Sequence, residues 1–355
     1  MQSKALQTNP AKEKQQQHRA DTARPRHLLP GLALCCALAL AAMLVRHASG
    51  IAALSPLATA MVLGIVLRNV RVPLAFAAPG IAFSLRRVLR FAIVLLGFQL
   101  TLAQIATIGW HGIVVIVATL AASFVVIRKV GALLGVDKAL SELIAAGTSV
   151  CGASAIVATN TVTRGSDEDV AYAIACVTVF GSISMLGFPL LAEQISLTPA
   201  EFGLWTGATI HEVAQVVGAA FQGGTEAGET GTVAKLSRVI LLAPLILTLG
   251  TLATRTRAGQ DAGGSVPMPW FVIGFAAVVL VNSVLSIPAE ITRQIATWTT
   301  FLLTMALAAM GLETDIAKLH LKGLRPLLLG AIGWIFISVF GLALILWLQI
   351  PGSAG

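Results

Sequence analysis

The fold is decided by an apolar segment with a polar interruption in its middle, residues 139–163, which read ALSELIAAGTSVCGASAIVATNTVT. The segment is long enough to cross a bilayer, since a span needs about 20 apolar residues. Its centre combines two glycines with small hydroxyl and thiol side chains, which weaken a helix and compete for its hydrogen bonds. We therefore expect a helix broken near Gly152. Such a break is tolerated in a membrane only where protein or a wet cavity surrounds it.

The rest of the chain has the composition of a membrane protein. Of its 355 residues, 56% are hydrophobic and only 11% are charged, whereas soluble domains carry about 25% charged residues. This excludes an ordinary cytosolic enzyme, a disordered protein and a secreted disulfide scaffold. The net charge is +8, but the charges lie in the loops between apolar segments, which suggests a role in membrane orientation rather than nucleic-acid binding. The four cysteines lie in apolar stretches and lack CxxC spacing, so neither a zinc site nor a disulfide framework is indicated. No metal and no cofactor are predicted.

Eleven apolar segments predict an all-α polytopic membrane protein with discontinuous crossing helices. Residues 1–27 are predicted to be a disordered cytoplasmic tail, and residues 28–350 a single transmembrane domain in the lipid bilayer. The Lys and Arg residues concentrate in alternate connections, which places the N-terminus in the cytoplasm and the C-terminus in the periplasm. The predicted segments are 28–46, 52–68, 88–104, 110–130, 139–163, 168–191, 200–221, 235–254, 268–286, 290–312 and 323–349.

An internal repeat relates the two ends of the chain. Residues 96–101, LGFQLT, resemble residues 310–315, MGLETD, at an offset of 214, and three neighbouring segments fall into register at the same offset. Seven segments separate the copies, and because seven is odd the copies would face opposite ways across the bilayer. Inverted repeats of this kind are typical of secondary transporters. The alternative is chance similarity between helices rich in Leu, Ala and Gly.

A second polar interruption falls in segment 200–221, where residues 206–215 read TGATIHEVAQ. Glu212 is an ionisable residue within an apolar segment, and such residues are usually functional because their insertion costs a few kcal/mol. On a continuous helix His211 and Gln215 would share one stripe, with Glu212 beside it. The alternatives are a structural histidine and an interfacial Glu212. The GxxxG pattern of Gly203 and Gly207 suggests that the two interruptions cross.

A pair of cations and a second GxxxG pattern are the remaining features of note. Lys235 and Arg238 are interpreted as interfacial cations at the start of a span, reaching to lipid head groups; the alternative is that they draw anions into a cavity. The GxxxG pattern of Gly131 and Gly135 permits a homodimer.

These features predict a small-anion site between breaks near Gly152 and Gly207. The free N–H groups and positive dipole end of a half-helix beginning near Gly152 would hold the anion. A buried carboxylate or imidazole would carry a coupling proton. No catalytic residue is predicted. The predicted substrate-binding residues are Thr148, Ser149, Cys151, Gly152, Ser154, Gly207, Thr209, His211 and Gln215, and the predicted coupling-ion residues are Glu212 and Asn160.

At these residues the sequence resembles the YeiH-type sulfate exporter family of bacterial inner-membrane proteins. The matching stretches are residues 93–98, 146–156, 203–217, 235–239 and 269–271. The family is similar in outline to the bile-acid symporter and sodium/proton antiporter superfamily, which implies inverted-repeat carriers with crossed, broken helices. The resemblance implies export of sulfate or a related sulfur-containing anion, coupled to protons or sodium. Where the family often has aspartate, this chain has Glu212, which keeps the charge on a longer side chain.

Two other functions stay open on the sequence. One is cation/proton exchange, with Glu212 as the ion carrier. The other is an intramembrane enzyme in which Cys151 and His211 form a nucleophilic pair, although no third, orienting group is evident. We expect a transporter rather than an enzyme.

Overall fold

The computed structural model describes residues 27–49, 55–70, 74–106, 109–246, 248–249, 270–285, 287–317 and 322–348. All of the regular elements in these ranges are helical. The predicted tail, apart from His27, lies outside the described residues. The helices are α1 Leu29–Ser49, α2 Pro56–Asn69, α3 Ala78–Phe83, α4 Leu89–Leu96, α5 Leu102–Ala106, α6 Gly109–Leu133, α7 Lys138–Ser149, α8 Ala153–Thr163, α9 Asp167–Gln194, α10 Pro199–Thr209, α11 Val213–Ala220, α12 Thr225–Ile240, α13 Trp270–Val284, α14 Ala289–Glu313 and α15 Leu324–Leu348.

The length and composition of the described helices agree with a membrane protein. Five of them, α1, α6, α9, α14 and α15, are long and apolar enough to cross a bilayer, and α2 and α13 are apolar but shorter. The prediction of an all-helical membrane protein is confirmed. The count of eleven spans, the sidedness of the termini and the inverted repeat stay predictions.

The helices pack as two groups. The first, which we call the repeat bundle, contains α1–α4, α13 and α14 and therefore the two matched stretches of the predicted repeat, 96–101 and 310–315. The second, which we call the break bundle, contains α6–α12 and α15 and therefore both polar interruptions. The bundles meet where α11 packs against α2 and α14. This contact is apolar, with Leu57, Val217 and Leu307 in one buried cluster.

Hydrogen-bonding side chains mark where two helices of the break bundle begin. Ser166 and Asp169 form a capping box at the start of α9, and Thr198 and Glu201 form one at the start of α10. Such boxes satisfy backbone N–H groups that a helix leaves free. Lys322, which precedes α15, donates to Asp169 at 2.9 Å, and this bond raises the pKa of Lys322. The first turns of α9 and α10 are therefore firmly defined.

The structure corrects two predicted boundaries. Segment 88–104 is not one straight span: a π-turn over Ser84–Val88 precedes α4, and a 3-10 turn over Gly97–Gln99 follows it. Segment 235–254 starts too late, because α12 already begins at Thr225. The first two turns of α12 are rich in Thr, Glu and Gly, so hydropathy alone does not detect them.

Candidate functional site

The first predicted break is present. α7 ends at Ser149 and α8 begins at Ala153. Between them Gly152 has φ +66° and ψ −130°, a conformation that strains any residue with a side chain. A Cβ at this position would also collide with the carboxylate of Glu212. Gly152 therefore permits both the break and the close approach of Glu212.

The second break lies later than predicted. α10 continues through Gly207 and ends at Thr209, and α11 begins at Val213. Gly207 is inside α10, where it packs against Gly231 and Ala234 of α12. The continuous stripe expected for His211 and Gln215 does not exist, because His211 lies in the non-helical connection. No glycine marks this break; its local sequence signal is the pair Glu212 and Gln215, which forms a capping box at the start of α11.

Glu212 joins the two interrupted helices. Its Oε1 accepts a hydrogen bond of 2.6 Å from the backbone N–H of Ala153, the first residue of α8. The expectation that the interruptions meet is thus confirmed. The structure adds an important difference: the half-helix N-terminus predicted to hold an external anion is occupied by the protein's own carboxylate. A negative charge is favourable there because the N–H groups and the helix dipole point toward it.

Lys235 and Arg238 are buried within the same cluster. Both side chains are fully inaccessible to solvent. Lys235 Nζ donates to the carbonyls of Val150 at 2.7 Å and Ile210 at 2.6 Å. The interpretation of these residues as cations at the lipid head groups is therefore wrong. Their i, i+3 spacing places both on one face of α12, and that face is turned to the breaks.

Arg238 bonds to the last carbonyls of both α7 and α10. Its guanidinium donates to the carbonyl of Ala208 at 2.5 Å and to that of Thr148 at 3.2 Å, and it also bonds the carbonyl of Ser149. These carbonyls are among those that a helix leaves unsatisfied at its C-terminus. Each buried cation thus links one broken helix to the other.

The small polar side chains at the breaks are mostly engaged locally. Ser149 Oγ accepts from Ser123 Oγ at 2.8 Å, and Thr209 Oγ1 donates to the carbonyl of Trp205 at 2.6 Å. Cys151 Sγ lies 2.9 Å from Ser154 Oγ. Ser154 is the exposed member of this set.

His211 and Gln215 differ in their bonding. Gln215 is fully buried, and its Nε2 donates to the carbonyl of Thr178 at 2.9 Å. Its Oε1 accepts from the backbone N–H of Glu212 at 3.1 Å, so Gln215 holds that residue in place. His211 is 1% exposed, and among the described residues its Nδ1 has no hydrogen-bond partner. An unsatisfied buried nitrogen of this kind calls for an explanation such as a ligand or an ion.

Asn160 does not belong to this cluster. Its Oδ1 accepts from the backbone N–H of Gly165 at 2.7 Å, and its Nδ2 donates to the carbonyl of the same residue. It closes the C-terminal turn of α8, about 10 Å along the helix from Ala153 at 1.5 Å per residue. The prediction that Asn160 holds a coupling ion beside Glu212 is therefore corrected.

Two packing observations bear on the GxxxG patterns. Gly203 and Gly207 lie against α12, not against α8, so the crossing partner predicted from sequence is replaced by α12. Gly131 packs against Ser141 of α7 within the chain. A homodimer stays a prediction.

A cavity of about 240 Å³ lies where the two bundles meet. Its polar lining includes Arg46, Gln99 and Gln222, and its apolar wall includes Val217 and Leu303. Val217 belongs to α11, the half-helix that begins directly after Glu212. One of the interrupted helices therefore forms part of the cavity wall.

Comparison with known proteins places the chain in a family. Residues 30–330 match the family described as Conserved hypothetical protein 698. The chain belongs to this family. It is 38% identical to a UPF0324 membrane protein of Pseudomonas aeruginosa, over 89% of this chain and 94% of that protein. It is 35% identical to the UPF0324 inner membrane protein YeiH of Escherichia coli, over 89% and 93%.

A further relative is the UPF0324 inner membrane protein YeiH of Salmonella typhi, at 36% identity over 92% of this chain and 93% of that protein. No solved structure matches. The resemblance to YeiH-type proteins is confirmed, and the chain is a membrane protein. The names of these relatives do not mention a substrate.

Proposed function

We propose that the chain is a secondary transporter that exports a small anion across the bacterial inner membrane, with sulfate or a related sulfur-containing anion as its substrate class. The observation that carries the proposal is the bond between Glu212 and the N-terminus of α8, inside a cluster that holds two buried cations. The sulfur anion itself comes from the resemblance to the exporter family.

The charge balance of the cluster favours an anion. Lys235 and Arg238 contribute two positive charges, and Glu212 contributes one negative charge. In the part of the chain that the structure describes, the hydrogen-bond partners of Lys235 and Arg238 are backbone carbonyls, not carboxylates. A buried excess of positive charge is costly without a counter-charge, so an anion entering the cluster would be stabilised.

Glu212 acts in this proposal as an internal competitor of the substrate. Its carboxylate holds the N–H of Ala153 while the site is empty. When Glu212 takes up a proton it loses its negative charge, and the N–H group becomes free for the substrate anion. Ser154, exposed one residue further along α8, offers a hydroxyl to the same anion. Proton uptake by the carboxylate of Glu212 would then be coupled to anion binding at the N–H of Ala153.

Paired glycine contacts support the inverted repeat on which alternating access depends. Gly97 packs against the carbonyl of Phe275, and Gly311 packs against the carbonyl of Met61. Adding the repeat offset of 214 to residues 61 and 97 gives residues 275 and 311. Each contact is therefore the counterpart of the other, with the two copies exchanged.

A pair of hydrogen bonds follows the same rule. The backbone N–H of Leu102 donates to Ser283 Oγ at 2.8 Å, and that of Ile316 donates to Asn69 Oδ1 at 3.2 Å. Adding the repeat offset of 214 to residues 102 and 69 gives residues 316 and 283, so the two hydrogen bonds join corresponding positions of the two copies. These matched contacts on both sides favour a repeat over chance similarity between two apolar helices. Inverted repeats provide two related conformations that open to opposite sides of the membrane.

The division into two bundles supports a rocking movement. The ion pair of Arg68 with Asp315 lies in the repeat bundle, and that of Arg128 with Glu142 lies in the break bundle. Between the bundles, Gly218 of α11 packs against the apolar side chain of Leu307. Apolar contacts of this kind allow one bundle to shift against the other at modest cost.

The decisive experiment measures anion flux in proteoliposomes that contain the purified protein. We expect a proton gradient to drive sulfate accumulation, with sulfite, sulfonates and carboxylates tested as competitors. In Glu212→Gln, which cannot ionise, proton-driven accumulation should fall at least about tenfold, while downhill anion exchange persists. Glu193→Gln, an exposed control at the end of α9, should transport like the wild type.

Unchanged proton-driven flux in a correctly folded Glu212→Gln variant would refute the assigned role of Glu212. Proton movement driven by cations without any anion requirement would support the cation exchanger instead.

A further inference from the structure

The carbonyl ends of both interrupted helices are occupied by side chains of α12. Lys235 Nζ bonds the carbonyl of Val150, just after α7, and that of Ile210, just after α10. Arg238 likewise bonds the carbonyls of Ser149 and Ala208, one from each helix. The two cations are therefore bound by neighbouring backbone oxygens at the same two helix ends.

Backbone oxygens in this position are good ligands for metal cations. The C-terminal end of a helix carries a partial negative charge. In carriers with discontinuous helices, unwound carbonyls and half-helix C-terminal ends coordinate the coupling sodium ions. In this chain the corresponding oxygens already accept hydrogen bonds from an ammonium and a guanidinium group.

The packing of α12 holds these cations in place. Gly203 and Gly207 of α10 lie directly against α12 at Ala227 and Gly231, so the two helices approach closely. This brings Lys235 and Arg238 within reach of both breaks, with no solvent access to either side chain. The cations are therefore permanent parts of the fold and not exchangeable ligands.

We infer that Lys235 and Arg238 replace the coupling sodium ions, so that the protein moves its substrate without sodium. A sodium ion entering the cluster would meet two positive charges at short range and would find the carbonyl oxygens engaged. The inference rests on the proposed function and deepens it. With the cation positions filled, the proton on Glu212 is the coupling ion.

A binding experiment tests the inference independently of transport. The melting temperature of the purified protein in detergent is measured in sodium chloride and in choline chloride of equal concentration. We expect the same melting temperature in both salts. A sodium-specific rise of roughly 3 °C or more, the signature of a bound stabilising ion, would overturn the inference.

A variant tests whether removal of a buried cation creates a sodium site. Lys235→Ala frees the carbonyls of Val150 and Ile210 and removes one positive charge, so it should gain a sodium-specific rise that the wild type lacks. Lys129→Ala removes an exposed lysine from α6 and should show no sodium response. A folded Lys235→Ala protein that ignores sodium would contradict the inference; if this variant does not fold, the wild-type comparison decides.

Flux measurements separate the inference from the function on which it rests. Replacing sodium by choline should leave wild-type anion flux unchanged within about a factor of two, whereas a loss of about tenfold would overturn the inference. Absence of anion flux in both salts would refute the proposed function, and the melting experiment would still test the cation site.

Discussion

At the scale of single residues, the site depends on three charged side chains that are held between the two broken helices. Glu212, Lys235 and Arg238 would be ordinary charged residues on a protein surface. Here they join two broken helices through backbone N–H and carbonyl groups. The sequence indicated Glu212, because a carboxylate in an apolar segment is unusual. It did not indicate the burial of Lys235 and Arg238, since residues at the edge of an apolar segment fit an interfacial position equally well.

Gly152 provides a stringent test at this scale. Gly152→Ala places a Cβ at φ +66° and against the carboxylate of Glu212, so both the backbone and the bond to Ala153 are disturbed. We expect the free energy of unfolding to fall by about 1–3 kcal/mol, with loss of proton-driven flux. Thermal unfolding in detergent measures the first effect.

The matched control is Gly187→Ala in α9. A Cβ at Gly187 meets no atom within 4 Å, and alanine favours a helix over glycine by about 1 kcal/mol. This variant should be as stable as the wild type or more so. A Gly152→Ala protein as stable as Gly187→Ala would show that the break tolerates a side chain.

At the scale of helices, the sequence located α7 and α8 well and α10 to α12 poorly. Glycine at position 152 marks the first break, because its conformation requires glycine. The second break, at 210–212, contains Ile, His and Glu. It is maintained by a local capping box of Glu212 with Gln215 and by a tertiary bond from Lys235 to the carbonyl of Ile210. The tertiary bond cannot be inferred from local sequence. The same reason explains α12, whose polar first turns are stabilised by packing against α10.

The contact between α10 and α12 gives the second prediction. Gly207→Ala places a Cβ against the carbonyl of Gly231 and the side chain of Ala234, and α10 must move away from α12. We expect a loss of about 1–3 kcal/mol in unfolding free energy, as for other overpacked interiors. Because this movement also pulls the carbonyl of Ile210 from Lys235, the proton-driven anion flux should fall. Thermal unfolding and proteoliposome flux measure the two effects; full stability together with full flux would contradict the role of this contact.

At the scale of the whole molecule, the predicted repeat relates segments that are far apart in the sequence, whereas the two bundles describe which helices pack together in the structure. The prediction of a repeat came from two short stretches that share a glycine, and these glycines, Gly97 and Gly311, lie where a neighbouring helix passes closely. The grouping of helices is not visible in sequence, because it depends on which apolar faces meet. The cavity at that interface was likewise beyond prediction, since its polar lining comes from residues as distant as Arg46 and Gln222.

Arg46 tests the part that this cavity plays in transport. A positive charge in a cleft raises the local concentration of anions, and Arg46 is the cation among the residues that line the cavity. Arg46→Gln should therefore raise KM for the anion about 3–10-fold and leave kcat unchanged. Since the effect is electrostatic, it should shrink as ionic strength increases. Arg293→Gln, which changes an exposed arginine paired with Glu290, should leave both constants unchanged; equal KM values for the two variants would remove the cavity from the transport path.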